Sequence, residues 1–278
     1  MISTGEVNGL SFKLLAMDLD DTLLNENFEI SVENREAIQR AAKMGVLVTL
    51  ATGRMFVSTV PFARQLQIDL PLITYHGALI RTVGEETLYH QPVPLHLAKK
   101  IAELSADCGF HVNVYIDDEL YVAEENEYSG FYQRLSGVKV TAVGDLASFL
   151  HAPPTKLTII DRKGRLKGFE DEIVKHYSDE LSITLSRPHF LEITDRLSTK
   201  GQALKFLAGL HGIPREQVAA VGDSYNDMDM LVYAGIGVAV RNARQEVIDV
   251  ADVITASNVE NGVAQFIEKY LFKGKGEA

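Results

Sequence analysis

Residues 14–22 read Leu14-Leu15-Ala16-Met17-Asp18-Leu19-Asp20-Asp21-Thr22: a short apolar run that stops at a cluster of carboxylates. Four apolar residues in a row are short for a buried helix and suit a strand covered on both faces. Working outward, Ser31 can cap a helix that runs to about residue 44, with Gly45 as its stop. Residues 46–50, Val-Leu-Val-Thr-Leu, are apolar and β-branched and read as a central strand. A helix over 56–66 and a strand over 72–75 follow. Strand and helix therefore alternate, as in a parallel sheet with helices on both faces.

The same rhythm returns late in the chain. Helices are expected at 200–210, 227–234, 245–250 and 260–271, and strands at 218–221, 236–240 and 253–254. Between these halves, strand-like segments come closer together, at 110–116, 120–123, 139–143, 155–160, 182–185 and 190–193. Helical patterns at 95–106, 127–135 and 166–176 separate some of them. Hairpin-like pairs with intervening helices predict an α+β lobe. The expected fold is α/β: a Rossmann-like parallel-sheet core, residues 1–83 and 193–278, with an inserted α+β cap over 84–192.

A chain of 278 residues is comfortable for two such lobes, and 46% hydrophobic with 23% charged residues is a globular composition. A formal charge of -11 argues against a nucleic-acid partner. One Cys leaves no disulfide framework and no Cys-based zinc site, and Cys108 is expected to be a small buried thiol. No run reaches the roughly 18 apolar residues of a spanning helix, so no membrane partner is expected. Residues 1–9 lack a signal pattern, which suggests a cytoplasmic protein, and the tail 273–276 reads as a frayed end. A monomer or a small homo-oligomer is equally compatible with these features.

Ligands of open parallel sheets lie beyond the carboxyl ends of the strands. Four such ends carry chemistry: Asp18-Leu19-Asp20-Asp21-Thr22, Ala51-Thr52-Gly53-Arg54, Tyr75-His76-Gly77 and Gly222-Asp223-Ser224-Tyr225-Asn226-Asp227. Lys200 opens a helix nearby in the chain order. If these ends converge, Asp18, Asp20, Asp223 and Asp227 crowd one cleft, and like charges so close cannot all ionise cheaply. A divalent cation relieves the crowding, and all-oxygen donors favour Mg²⁺ over zinc. Asp18 and Asp20 can share a face of an extended strand, or Asp20 can offer its backbone carbonyl. Lys200 and the Thr52 hydroxyl suit phosphoryl oxygens, and Gly53 lets its backbone N–H approach. Taken singly, each of these residues is common turn, cap or surface material; the joint occurrence in chain order points to a site.

Asp-x-Asp-Asp-Thr-Leu at 18–23, Thr52-Gly53-Arg54, Ser198-Thr199-Lys200-Gly201, Gly222-Asp223-Ser224-x-Asn226-Asp227 and Asn258-x-x-x-Gly262-Val263-Ala264 together resemble the haloacid dehalogenase superfamily phosphatases. The similarity is to the Cof-type branch with a large inserted cap, over nearly the whole chain. The resemblance implies an Mg²⁺-dependent phosphatase acting on small phosphorylated metabolites such as sugar phosphates or phosphorylated cofactors. It implies Asp18 as nucleophile, Asp20 as acid and base, and Thr52 and Lys200 on the phosphoryl oxygens. The metal site would draw on Asp18, Asp20, Asp223 and Asp227. Leu19, Gly53, Arg54, His76, Gly77, Asn226 and Arg187 would face the substrate, with His189 and Glu192 as further cap candidates. The chain departs from the branch at His76, where Asn is usual, and at Arg241, where Gly is common. An Asp at position 20, where related pumps carry Thr, favours hydrolysis of the aspartyl-phosphate. A phosphomutase of the same superfamily, a signalling receiver and a non-catalytic phospho-ligand binder are the alternatives; a receiver is about half this length and has no inserted lobe.

Overall fold

The computed structural model describes residues 12–67 and 71–272. The chain opens with β1 (Leu14–Met17), α1 (Val32–Lys43), β2 (Leu47–Leu50), α2 (Phe56–Leu66), β3 (Leu72–Thr74), β4 (Leu79–Arg81) and β5 (Thr87–His90). The middle holds α3 (Leu95–Asp107), β6 (His111–Ile116), β7 (Glu119–Val122), α4 (Glu127–Ser136), β8 (Val140–Ala142), α5 (Leu146–Phe149), β9 (Lys156–Ile160), α6 (Leu166–Tyr177), β10 (Leu181–Arg187) and β11 (Phe190–Asp195). It closes with α7 (Lys200–Leu210), β12 (Val218–Gly222), α8 (Met228–Tyr233), β13 (Ile236–Ala239), α9 (Gln245–Val250), β14 (Val253–Ile254) and α10 (Gly262–Ile267).

Five strands form a parallel sheet in the order β14-β13-β12-β1-β2, with Met17 paired to Val221 on one side and to Leu50 on the other. All four residues of β1 are buried because both faces of the sheet are covered. Side chains alternate: Leu15 and Met17 join α1 and α10 in one apolar cluster, while Leu14 and Ala16 join α7 and α8 in another. Ser31 caps α1 as expected, its Oγ accepting the Asn34 N–H at 3.1 Å. Because β12, β1 and β2 run parallel, their carboxyl ends open on the same edge.

The third strand departs from expectation. β3 reaches the parallel sheet through one bridge, Ala51 to Ile73, and then pairs antiparallel with β4 in a separate three-stranded sheet, β3-β4-β5. Strands β4 and β5 are three and four residues long, too short to show a period of two. The switch follows a turn in which Tyr75 (φ 52°) and His76 (φ 59°) are both left-handed, which reverses the chain. Cys108 is also corrected: it is exposed, because it caps the C-terminus of α3 just before the left-handed Gly109.

The middle segment forms a six-stranded sheet, β10-β11-β9-β6-β7-β8, antiparallel except for the β7–β8 pair. Val112, Val114, Leu157, Ile159, Leu191 and Ile193 pack on one face against α3, α5 and α6. From the other face Tyr115, Leu120, Val122 and Val140 join the cluster that contains Phe56 and Tyr75. The inserted sheet is thus seated on the segments that follow β2 and β3. Among the described residues no helix is long and apolar enough to cross a membrane. Residues 1–9 and 273–276, read above as a signal-free start and a frayed end, lie outside the described residues.

Candidate active site

The first residue after β1 and the first after β12 are both aspartates, so the parallel register brings Asp18 and Asp223 to one edge. Carboxylate oxygens of Asp18, Asp223 and Asp227 lie within 4.8 Å of one another. Lys200, the first residue of α7, is only 1% exposed; its Nζ donates to Asp18 Oδ1 at 2.6 Å and to Asp227 Oδ1 at 2.5 Å. Asp227 Oδ2 accepts the N–H groups of Asp223 (3.0 Å) and Ser224 (2.9 Å). This fold-back requires Gly222, because a Cβ there would lie 2.5 Å from the Asp227 Cβ. The Thr22 hydroxyl donates to Asp223 Oδ1 at 2.8 Å. Asp227 is thereby fully engaged, whereas Asp18 and Asp223 each keep one carboxylate oxygen without a hydrogen bond among the described residues.

The electrostatics show what this cluster lacks. Burial pushes Asp18 well above the usual carboxylate range; Lys200 opposes this, and the charges of Asp227, Asp223 and Asp20 add to it. Burial, then the Asp227 charge, pushes Asp223 up to about 7 against the Thr22 hydrogen bond. Burial alone would lower Lys200, but the charges of Asp18 and Asp227 raise it, so it stays an ammonium. One ammonium faces three carboxylates, and the donor set is all oxygen. These residues therefore fit a hard divalent ion such as Mg²⁺ better than zinc.

The turn after β2 builds the second wall. Thr52 is buried; its N–H binds the Ile73 carbonyl at 2.9 Å and its Oγ1 accepts the Arg54 N–H at 3.2 Å. Arg54 grips Asp20 in a fork, Nε to Oδ2 at 2.8 Å and Nη2 to Oδ1 at 2.6 Å, and lies over the Phe62 ring. The Asp20 side chain therefore stands outside the carboxylate cluster, which leaves the second of the two donors read from the sequence, its backbone carbonyl, for a metal. Leu19 is fully buried in the main core, so only its backbone can serve a ligand.

His76, a candidate substrate contact by its place at a strand end, pairs through Nδ1 with Asn226 Nδ2 at 3.0 Å and through Nε2 with Glu192 Oε2 at 2.6 Å. The amide and carboxylate partners assign the proton to Nε2. Gly53 packs on this ring, where a Cβ would sit 2.3 Å from the His76 Cε1, and Gly77 (φ +100°) packs on the Thr199 carbonyl. Glu192 also accepts from Lys156 Nζ at 2.8 Å and from the Ser186 hydroxyl at 2.6 Å, and Lys156 donates to the Gly53 carbonyl at 2.9 Å. Burial would raise Glu192, but the Lys156 charge and then His76 hold it well below the usual range. Arg187 ends β10, and its side chain lies outside the described residues; His189 is exposed. Arg241 is exposed and pairs with Glu260 at 3.1 Å.

Two contributors carried no sequence signal: Lys156, a single residue on β9, and Asp118, on the turn between β6 and β7. Asn242, next to Arg241, supports the first loop by donating to the Asp21 carbonyl at 2.7 Å. A cavity of about 590 Å³ lies between α2 and β7–β8; its wall includes Arg54, Phe62, Asp118 and Lys139 but none of Asp18, Thr52, Lys200 or Asp223.

Comparison with known proteins adds to this geometry. A family model described as haloacid dehalogenase-like hydrolase matches residues 15–267. The chain is 32% identical to the 5-amino-6-(5-phospho-D-ribitylamino)uracil phosphatase YwtE of Bacillus subtilis (strain 168), over 93% of this chain and 98% of that protein. It is 27% identical to the pyridoxal phosphate phosphatase YbhA of Escherichia coli (strain K12), over 94% and 100%. Among solved structures, a haloacid dehalogenase (HAD) subclass IIB sugar phosphatase, BT4131, superposes with a TM-score of 0.82 at 25% identity, covering 93% of this chain and 98% of that one.

Proposed function

Because the chain belongs to the haloacid dehalogenase-like hydrolases, we propose that it hydrolyses small phosphorylated metabolites through an aspartyl-phosphate formed on Asp18. It is a phosphoric monoester hydrolase, as its named relatives are. The observation that carries the residue assignment is the buried Lys200 ammonium held between Asp18 and Asp227 at the strand ends.

In this reading the substrate phosphoryl group enters between Asp18, Lys200 and the Thr52 hydroxyl. A carboxylate oxygen of Asp18 attacks phosphorus and the ester P–O bond breaks. Asp20, protonated from solvent on leaving its Arg54 fork, gives that proton to the leaving alkoxide and takes one back from the water that attacks the aspartyl-phosphate, which releases inorganic phosphate and restores Asp18. Asp227 holds Lys200 and the Asp223–Ser224 backbone in place. Mg²⁺, held by the Asp18 and Asp223 carboxylates and the Asp20 carbonyl, would supply neutralising charge to the phosphoryl group. Arg54 holds the Asp20 carboxylate in place between turnovers, and Asn226 and His76 border the site on the core side, where His76 meets Glu192 of the inserted sheet. The relatives' names support phosphorylated sugars, vitamin-type cofactors and their precursors as the substrate class.

A core of 1–83 and 193–278 with a cap of 84–192 belongs to the same proposal. The pairing of β5 with β4, and of β11 with β10 as far as Asp195, supports a core that reaches a little past residue 83 and a cap that reaches a little past residue 192. A cytoplasmic setting and a monomer or small homo-oligomer complete the reading.

The test is phosphate release from p-nitrophenyl phosphate, with Mg²⁺ and with EDTA, for wild type and Asp18→Asn. The expected result is Mg²⁺-dependent release that falls to background in the variant. Release by Asp18→Asn at the wild-type rate would remove Asp18 as nucleophile.

A further inference from the structure

Helix α2 begins after Met55, whose side chain makes no capping bond. Its first N–H groups are nonetheless satisfied: Phe56 N–H donates to Asp118 Oδ1 at 3.0 Å and Val57 N–H to Asp118 Oδ2 at 2.7 Å. The cap thus comes from a residue about sixty positions away, on the turn between β6 and β7 of the inserted sheet. The Tyr75 hydroxyl donates to the same Asp118 Oδ1 at 2.7 Å, and the Tyr75 N–H donates to the Arg54 carbonyl at 2.9 Å. One carboxylate therefore holds both segments that frame Arg54.

The turn by itself would be served as well by glycine or asparagine as by an aspartate at this place. Asp117 (φ 51°) and Asp118 (φ 63°) are both left-handed, and a two-residue hairpin turn of that kind favours glycine second. What Asp118 offers is a charged acceptor at a helix N-terminus, where orphan N–H groups and the helix dipole both favour it.

We propose that Asp118 is a positioning residue for phosphoryl transfer: the inserted sheet, when seated, supplies the missing cap of α2 and so fixes the Thr52-Gly53-Arg54 turn. This rests on the reading that Thr52 and Asp20 serve the phosphoryl group. The path runs from Asp118 through the first turn of α2 to Arg54, and from the Arg54 fork to Asp20. Lifting the inserted sheet leaves α2 uncapped and frees Arg54, and seating it orders the turn. Closure over a substrate and assembly of the site are then a single event.

The experiment compares wild type, Asp118→Ala and Asp118→Asn in the full chain. Two quantities are read: kcat and KM for p-nitrophenyl phosphate with Mg²⁺, and amide hydrogen exchange of peptides spanning residues 52–60. Asp118→Ala is expected to speed exchange at Phe56 and Val57 by about tenfold or more and to lower kcat by about tenfold, the equivalent of one lost charge-assisted hydrogen bond. Asp118→Asn keeps one acceptor oxygen and is expected to recover part of both; it is also the variant to read if the alanine protein does not fold. Faster exchange with kcat and KM within about twofold of wild type would make Asp118 a structural cap only and overturn the proposal. Unchanged exchange would overturn it as well. If wild type releases no phosphate from any phosphomonoester, the functional reading fails by itself, while the exchange data still test the cap.

Discussion

Asp20 gives both carboxylate oxygens to one guanidinium, which leaves its orientation set by Arg54 rather than by the metal cluster. A general acid matters most when the leaving group is a poor one. Asp20→Asn is therefore expected to lower kcat on an alkyl phosphate such as glycerol phosphate by about 10²–10⁴. The first-turnover burst of p-nitrophenol should be slowed far less, because that phenolate leaves without a proton, whereas steady-state turnover of either substrate also needs Asp20 as base for the aspartyl-phosphate. Equal losses in the first-turnover step on both substrates would remove Asp20 as the acid. At this scale the sequence is legible wherever function is local. Asp18, Thr52, Asp223 and Asp227 each sit in a short motif after an apolar strand, and Lys200 opens a well-marked helix. What stays hidden is pairing across long separations: Arg54 with Asp20, His76 with Glu192, and Asp118 with α2. No local pattern encodes which distant group takes up a free hydrogen bond. His76 shows the consequence, since its position at a strand end suggests a substrate contact while both its ring nitrogens are taken by protein partners.

Between elements, strands β9 and β11 of the inserted sheet meet the turns after β2 and β3 through one buried knot. Lys156 sits on β9, Glu192 on β11, and together they reach the Gly53 carbonyl and His76. Lys156 is 4% exposed at its side chain, so removing its partner leaves a buried charge uncompensated. Glu192→Gln is expected to destabilise the protein by about 3–5 kcal/mol, readable as a lower denaturant midpoint. The pH dependence supplies a second readout. Glu192 is held below its ordinary value when folded, so its stabilisation is fully present above the unfolded carboxylate pKa and fades as the pH falls through the lower folded value. Stability curves between about pH 5 and pH 2 should thus fall more steeply for wild type than for Glu192→Gln. Parallel curves would mean that the knot carries no linkage. Helices with a clear period were readable almost to the residue, as α2, α7 and α9 show, whereas β4 and β5 were too short to register.

Over the whole molecule, the net charge of -11 is concentrated at its most costly where the parallel strands end. The two-lobe plan was legible because a strand–helix alternation gives way to closely spaced strands and then resumes; the seating of the lobes was not, because it depends on the buried partners just described. The acidic centre ties metal, pH and stability together. In the folded protein without metal, Asp223 is pushed up to about 7 by burial and then by Asp227, while in the unfolded chain it has lost its proton above about 4. The folded state therefore binds the extra proton across that window, and the contribution of Asp223 to stability falls as pH rises from about 4 to about 7. A divalent cation needs the deprotonated carboxylate, so it restores most where the proton has been lost. In EDTA, wild type is expected to lose melting temperature relative to Asp223→Asn as the pH is raised from 5 to 7.5. Mg²⁺ should raise the wild-type melting temperature more at pH 7.5 than at pH 5.5, following RT ln(1 + [L]/Kd), and barely move the variant. The binding heat in buffers of different ionisation enthalpy should report proton release near pH 6.5. A shift of the same size at both pH values, or one retained in Asp223→Asn, would place the cation elsewhere and leave three crowded carboxylates to be balanced by Lys200 alone.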